Sequence, residues 1–223
     1  MMTNLFSSFD PSTSSSLALN WLSAMTFIMI IPSTFWMMSS RSHKILIFTL
    51  MKLNLEFSNI MSNMIKSSIM MFIKIFFILL INNMMGLLPY IFTSTSHMTM
   101  TFSMALPMWL SFNLYGWINK TNHMFEHLIP SGTPPILMPF MACIESISNL
   151  IRPCTLAIRL AANMIAGHLL LTLLGNASSK INETILLMML FTQILLFTLE
   201  MAVSMIQAYV FSVLTTLYSS EIN

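Results

Sequence analysis

Six residues at seven-residue spacing carry most of the chemistry available to this chain. Glu145, Arg152 and Arg159 form one row, and Gln193, Glu200 and Gln207 form another. Seven residues are close to two helical turns, so each row returns to nearly the same face of a helix. Ser148, Asn149 and Asn163 fall beside the first row and Ser204 beside the second, all within otherwise apolar sequence. A guanidinium near a bilayer centre costs about 2.5–3.5 kcal/mol on insertion scales, so an ion retained there is a functional candidate. Arginine keeps its charge at physiological pH, hence Arg159 can hold or repel charge but cannot carry a proton. Glutamate and histidine can carry one, which adds Glu145, His168 and Glu200 as proton-capable groups. Hydrogen-bonded glue between helices would account for Ser, Asn and Gln alone. Two arginines, two glutamates and a histidine favour an ion path, because ions are the costliest residues to bury.

The elements that must position these groups are membrane helices. Of 223 residues, 56% are hydrophobic and 7% charged, with a mean hydropathy of +0.80; a soluble domain would be about 25% charged. This composition predicts an all-α integral membrane protein. A net charge of +2 from scattered residues leaves no basic tract for nucleic acid. Cys143 and Cys154 form neither a CxxC pair nor a disulfide framework and are expected to be packing residues. The N-terminus shows no cationic n-region with a cleavage site and no Arg-rich presequence, so no segment is expected to be removed. Nothing physical explains the 25 methionines.

In chain order, residues 17–38 contain no ion and are long enough to span about 30 Å of hydrocarbon. Over 41–65, Thr49, Lys52, Glu56, Asn59 and Asn63 oppose a stripe of Leu50, Leu53, Phe57, Ile60 and Met64. That pattern predicts an amphipathic helix on the membrane surface, with a re-entrant loop as the alternative. Further spans are expected at 68–90, with Lys74 near its start, and at 98–118, which includes Pro107. Three prolines and a glycine in 120–135 predict a polar loop without helix. Within it, His123-Met124-Phe125-Glu126-His127 matches the HxxEH spacing of zinc peptidases. The prolines that follow leave no room for a metal-site helix, so no metal is expected.

Residues 135–174 and 182–218 are each about forty residues long and apolar, roughly twice what a bilayer needs. They predict two long helices that tilt steeply as a hairpin, unless Pro153 splits the first. The expected total is about five transmembrane helices plus the surface helix. Residues level on an antiparallel hairpin have nearly constant sums of residue number: Arg159 with Gln207 gives 366 and His168 with Glu200 gives 368. Both pairs can therefore sit level. On a straight helix, however, His168 lies about 180° around from Arg159 at 100° per residue.

The run Ile151-Arg152-Pro153-Cys154-Thr155-Leu156-Ala157-Ile158-Arg159-Leu160, the stretch from Asn163 to His168 and the stretch from Glu200 to Gln207 resemble subunit a of the rotary ATP synthase. Gly86-Leu87-Leu88-Pro89-Tyr90, continuing to His97, is similar to the mitochondrially encoded animal form, although Cys154 stands where that pattern has glycine. The resemblance implies a stator that conducts protons to and from a ring of c subunits, alongside other membrane-sector and peripheral-stalk subunits, without a cofactor. It implies that Arg159 faces a ring carboxylate, that Asn163 and Gln207 support that site, and that His168 and Glu200 line a half-channel from the intermembrane space while Glu145 lines one toward the matrix. It also implies the mitochondrial inner membrane. Arg41, Lys44, Lys52, Lys66 and Lys120 fall on one side of the expected spans and Lys180 on the other. Taking the richer side as the matrix puts the N-terminus in the intermembrane space and the C-terminus in the matrix. A secondary transporter is the alternative, but it would need internal repeats and none is visible.

Overall fold

A computed structural model describes residues 5–14, 16–31, 38, 40–61, 68–129, 134–178 and 183–221. Among these residues the chain is helical and contains no strand. Short 3-10 turns at Leu5–Phe9 and Leu19–Met25 lead into helix α1 (Thr26–Ile30). Helices α2 (Arg41–Ile60) and α3 (Ile69–Gly86) follow, then a 3-10 turn at Ser94–Ser96. The chain continues through α4 (Met98–Asn119), α5 (Thr121–Leu128), α6 (Met138–Ser178) and α7 (Glu183–Glu221).

Among the described residues three helices are long and apolar enough to cross a membrane: α3, α6 and residues Ile185–Ser220 of α7. Because α6 has 41 residues and α7 has 39, each exceeds about 55 Å at 1.5 Å per residue. Helix α4 is 22 residues long, but its serines, threonines and asparagines dilute its hydropathy, and it does not meet the same criterion. The expected first span is not one helix over its described part. It is a seven-residue 3-10 turn followed by the five residues of α1, with Ile31 already extended. Residues 32–37 of that span lie outside the described part of the structure.

Helix α6 runs through Pro153 without a break. Proline lacks the N–H that would bond one turn back, and this loss is tolerated where packing holds the helix together. Here Pro153 is buried beside Ala105 and Met108 of α4. The stretch from 120 to 135, expected to be helix-free, forms α5 over the eight residues Thr121–Leu128. The prolines act only beyond it. His123 and Glu126 therefore lie on a two-turn helix, and no cluster of three metal-ligating side chains occurs among the described residues. Cys143, expected to be packed, is exposed, whereas Cys154 is partly buried.

The core is built where α3, α4, α6 and α7 meet. Phe76 and Leu79 of α3, Leu156 and Leu160 of α6, and Phe211 of α7 are all buried in one cluster. Ala105, Ala157 and Ala208 lie in the same cluster, and such small side chains let helix backbones approach closely. A second cluster joins Phe57 of α2 to Phe72 and Ile73 of α3. The apolar stripe of α2 thus packs on protein, with Leu50, Leu53 and Ile60 partly buried against the bundle and Lys52, Glu56 and Asn59 exposed. Ser40 caps the start of α2 through its side chain, which accepts from the His43 amide.

Candidate functional site

The polar row of α6 lies largely on an open face. Arg159 and Asn163 are exposed, and the Arg159 guanidinium makes no hydrogen bond or ion pair with a described residue. Glu145, Ser148, Asn149 and Arg152 are partly exposed. Ser148 Oγ donates to the Glu145 carbonyl at 2.9 Å. The Arg152 guanidinium lies 5.7 Å from the ring centroid of Tyr218, close enough for a cation–π contact. Asn149 and Arg152 also line a cleft of about 270 Å³ with Trp109 and Asn113 of α4 and Met124 of α5.

On α7 the arrangement is the reverse. Glu200, Ser204 and Gln207 are buried, Glu200 to 8% exposure, and Gln193 is partly buried. Both carboxylate oxygens of Glu200 lack a hydrogen-bond partner among the described residues. A buried carboxyl group without a partner is a setting in which gaining or losing a proton changes the energy strongly. The side chain fits because position 167 is glycine: a Cβ there would lie 2.9 Å from Glu200 Cδ and 3.0 Å from its Oε1. Ser204 Oγ donates to the Met201 carbonyl and lies 3.3 Å from the Met84 sulfur, while its own carbonyl receives Asn83 Nδ2 at 3.5 Å.

His168 is level with Glu200 but does not meet it. The imidazole faces the backbone carbonyl of Gly86 on α3 and packs edge-on against Phe9, with ring centroids 5.8 Å apart. Its Nδ1 has no partner among the described residues. Gly167 places the Glu200 carboxyl on one side of α6, and the next residue points His168 about 100° further around.

Asn163 Nδ2 donates to Gln207 Oε1 at 2.8 Å, which joins the two rows directly. This pair sums to 370, as does Arg152 with Tyr218; Gly167 with Glu200 gives 367, and Gly175 with Gln193 gives 368. Gln207 is thus level with Asn163, one turn from the expected pairing with Arg159. Between the helices opens a cleft of about 470 Å³, polar where Asn163, Glu200, Ser204 and Gln207 meet and otherwise walled by side chains such as Leu170, Phe191, Leu195 and Val203. Arg159 does not line it.

Some polar groups at the site escape the seven-residue pattern. Asn82 and Asn83 of α3 are buried; both side-chain polar atoms of Asn82 and Oδ1 of Asn83 lack a partner among the described residues. Two adjacent asparagines inside the apolar run Ile69–Gly86 were the available signal, since amides are costly to bury unsatisfied. Thr93 to Ser96 are also buried, and Thr93 Oγ1 bonds Ser96 Oγ at 3.0 Å.

Together these features define a helical membrane protein whose ionisable groups gather along one antiparallel helix pair, with a permanent cation outside the cleft and proton-capable groups within or beside it. The family model described as ATP synthase A chain matches residues 3–220, and the chain belongs to that family. It is 60% identical to ATP synthase subunit a of Locusta migratoria over 226 residues, a comparison covering 100% of both chains. Identity to the subunits a of Drosophila melanogaster and Aedes aegypti is 58% over 224 and 226 residues, again with 100% of both chains covered.

Proposed function

We propose that this chain, a non-catalytic proton-conducting subunit of the ATP synthase membrane sector, delivers protons through two offset half-channels separated by Arg159. The contrast between an exposed Arg159 and a buried Glu200, neither with a partner among the described residues, carries this proposal. An exposed guanidinium on a membrane helix calls for an anionic partner from another chain, and a carboxylate on the c ring supplies it. Glu200 and His168 serve the half-channel from the intermembrane space, through the cleft between α6 and α7. Glu145 serves the matrix side, with Ser148, Asn149 and Arg152 nearby. Asn163 and Gln207 hold the junction, and Gln193 and Ser204 extend the polar wall of α7.

The energies fit such a switch. An ionised ring carboxylate is costly in lipid, so it crosses the lipid face protonated and loses its proton where Arg159 can face it. Two unit charges about 4 Å apart attract by about 4 kcal/mol at an effective dielectric near 20. A proton driven by 100 mV gains about 2.3 kcal/mol. The magnitudes are comparable, so release from Arg159 can be coupled to reprotonation. Arginine cannot pass the proton on, which blocks a direct leak.

In this proposal α6 and α7 form a hairpin tilted steeply through the mitochondrial inner membrane, because each is about twice as long as the hydrocarbon is thick. Five crossings place the N-terminus in the intermembrane space and the C-terminus in the matrix. The c ring is the moving partner, and other membrane-sector and peripheral-stalk subunits hold the chain still.

Cysteine accessibility tests the two paths. In a background lacking Cys143 and Cys154, Ser148→Cys and Asn149→Cys should react with a membrane-impermeant thiol reagent only from the matrix face of sealed, oriented vesicles. Leu169→Cys and Val203→Cys should react only from the opposite face. Because the thiolate is the reactive form, modification reports water at the site. Reaction of both sets from one face would replace the two half-channels with a single vestibule of the transporter type.

A further inference from the structure

The N-terminal turn Leu5–Phe9 lies against the part of α6 that carries His168, and one residue ties it there. His97 Nε2 is 2.8 Å from the Phe9 carbonyl oxygen. A carbonyl only accepts, so Nε2 carries the hydrogen and donates it. The His97 ring is held in turn by aromatic neighbours: the Trp21 centroid is 5.3 Å away and that of Phe92 is 5.2 Å away. Trp21 and Phe92 meet each other edge-on at 5.9 Å, and Ser23 Oγ donates to the Phe92 carbonyl at 3.0 Å. The backbone of His97 is fixed as well, because its carbonyl accepts from Met100 at the start of α4. The donor is therefore rigid. The acceptor belongs to the residue whose ring lies edge-on against His168. The His168 imidazole also faces the Gly86 carbonyl, and a Cβ on Gly86 would lie 3.1 Å from Thr93 Cγ2 and 3.3 Å from Met164 Cε.

We propose that His97 is a positioning residue for His168: by holding the Phe9 carbonyl it keeps the Phe9 ring against the imidazole, which confines His168 to the orientation facing Gly86. This rests on the assignment of His168 to the half-channel from the intermembrane space. A proton acceptor confined to one competent orientation binds at its intrinsic affinity, whereas one that samples others binds more weakly in proportion to the competent fraction. Releasing Phe9 therefore raises the proton concentration needed for half-maximal flux and leaves the maximal rate nearly intact.

The test uses the assembled ATP synthase in sealed membranes, with proton translocation measured against pH on the His168 side. His97→Ala should raise the half-saturating proton concentration about fivefold, the effect of one neutral hydrogen bond, and Phe9→Leu, which keeps that bond but loses the ring contact with His168, by a similar factor of about five. His97→Gln should restore the wild-type value, because its amide N–H can reach the same carbonyl. If His97→Ala does not assemble, Phe9→Leu and His97→Gln carry the same comparison. Wild-type half-saturation in Phe9→Leu, or a shift in His97→Gln as large as in His97→Ala, overturns the proposal. His168→Ala separates the two levels of the argument. If it leaves translocation unchanged, the placement of His168 on the path fails. If it abolishes translocation while Phe9→Leu moves nothing, only the positioning role of His97 fails.

Discussion

The two long helices carry polar rows of similar spacing and use them in opposite ways. On α6, Arg159 and Asn163 are exposed and Glu145, Ser148, Asn149 and Arg152 are partly exposed. On α7, Glu200, Ser204 and Gln207 are buried behind α3 and α6, and Ser212, Thr215, Thr216 and Ser219 prolong a buried polar seam toward the C-terminus. Four of the hydroxyls on that seam donate to the carbonyl three residues back, which satisfies them without another chain. Position on a face therefore distinguishes the rows better than residue type does. Among the described residues the outward-turned Arg159 has no partner, whereas inward-turned polarity is satisfied locally, like the serines, bonded across to α6, like Gln207, or left without a partner, like Glu200.

Removing the outward cation should have the largest effect. Arg159→Lys keeps a positive charge but replaces the planar five-donor fork with a single ammonium, which can give up its proton where a guanidinium cannot. Breaking a desolvated charge pair costs about 3–5 kcal/mol, so proton-driven ATP synthesis should fall by more than about a hundredfold. The assembled amount of subunit should not change, because Arg159 holds no described neighbour in place. Synthesis rates in membranes normalised to assembled complex check this. Near-normal coupling would mean that the open face of α6 needs only a charge, and the contrast between the rows would lose its mechanistic content.

The inward row should break next, through a residue without a side chain. A Cβ added by Gly167→Ala would press on the far end of Glu200, at 2.9 Å from Cδ. That end is flexible and can move aside, while replacing glycine inside a helix by alanine gains about 0.5–1 kcal/mol of helix stability. Folding should therefore survive while the carboxyl group is displaced. Misplacing a reacting group by about 1 Å can cost up to a hundredfold, so proton flux should drop by about ten- to a hundredfold with normal subunit levels. Flux in reconstituted vesicles and immunodetection of the complex give the two measurements. Loss of the subunit together with the flux would make Gly167 a packing residue only.

How far the sequence alone could go follows from the same contrast. Seven-residue spacing reports which residues share a helix face, so both rows and the antiparallel register were legible, the register to within one turn. Which face points outward was not, because exposure is decided by the neighbours that α3 and α4 supply. The role of Gly167 depends on an absent atom meeting a residue 33 positions away, and no local pattern encodes that. His168 was legible as an ionisable residue in an apolar helix, but its neighbours Phe9 and Gly86 come from distant segments. The opposite error occurred at α5, where the prolines after Leu128 were allowed to deny helix to eight residues that precede them. On α2 the amphipathic stripe was plain, yet periodicity says only that one side is apolar. Phe57 finds α3 there.

The smallest effect should come from the hydrogen bond between Asn163 and Gln207. Asn163 Nδ2 reaches Gln207 Oε1 at 2.8 Å across the edge of the cleft, linking an exposed side chain to a buried one. A single neutral hydrogen bond contributes about 1 kcal/mol, so Asn163→Leu or Gln207→Leu should each lower coupled proton flux about fivefold. If the bond is what both residues contribute, the double substitution should cost little more than either one, with a coupling energy of about 1 kcal/mol in the double-mutant cycle. Multiplicative losses, about 25-fold in the double variant by the same arithmetic, would show that Asn163 serves the outward face and Gln207 the inward row independently. The two regions would then be adjacent without being joined, and the register that sets Gln207 level with Asn163 would follow from helix packing alone. A non-additive result would instead make this pair the hinge of the site, where a proton-carrying interior meets the face that Arg159 presents to its partner.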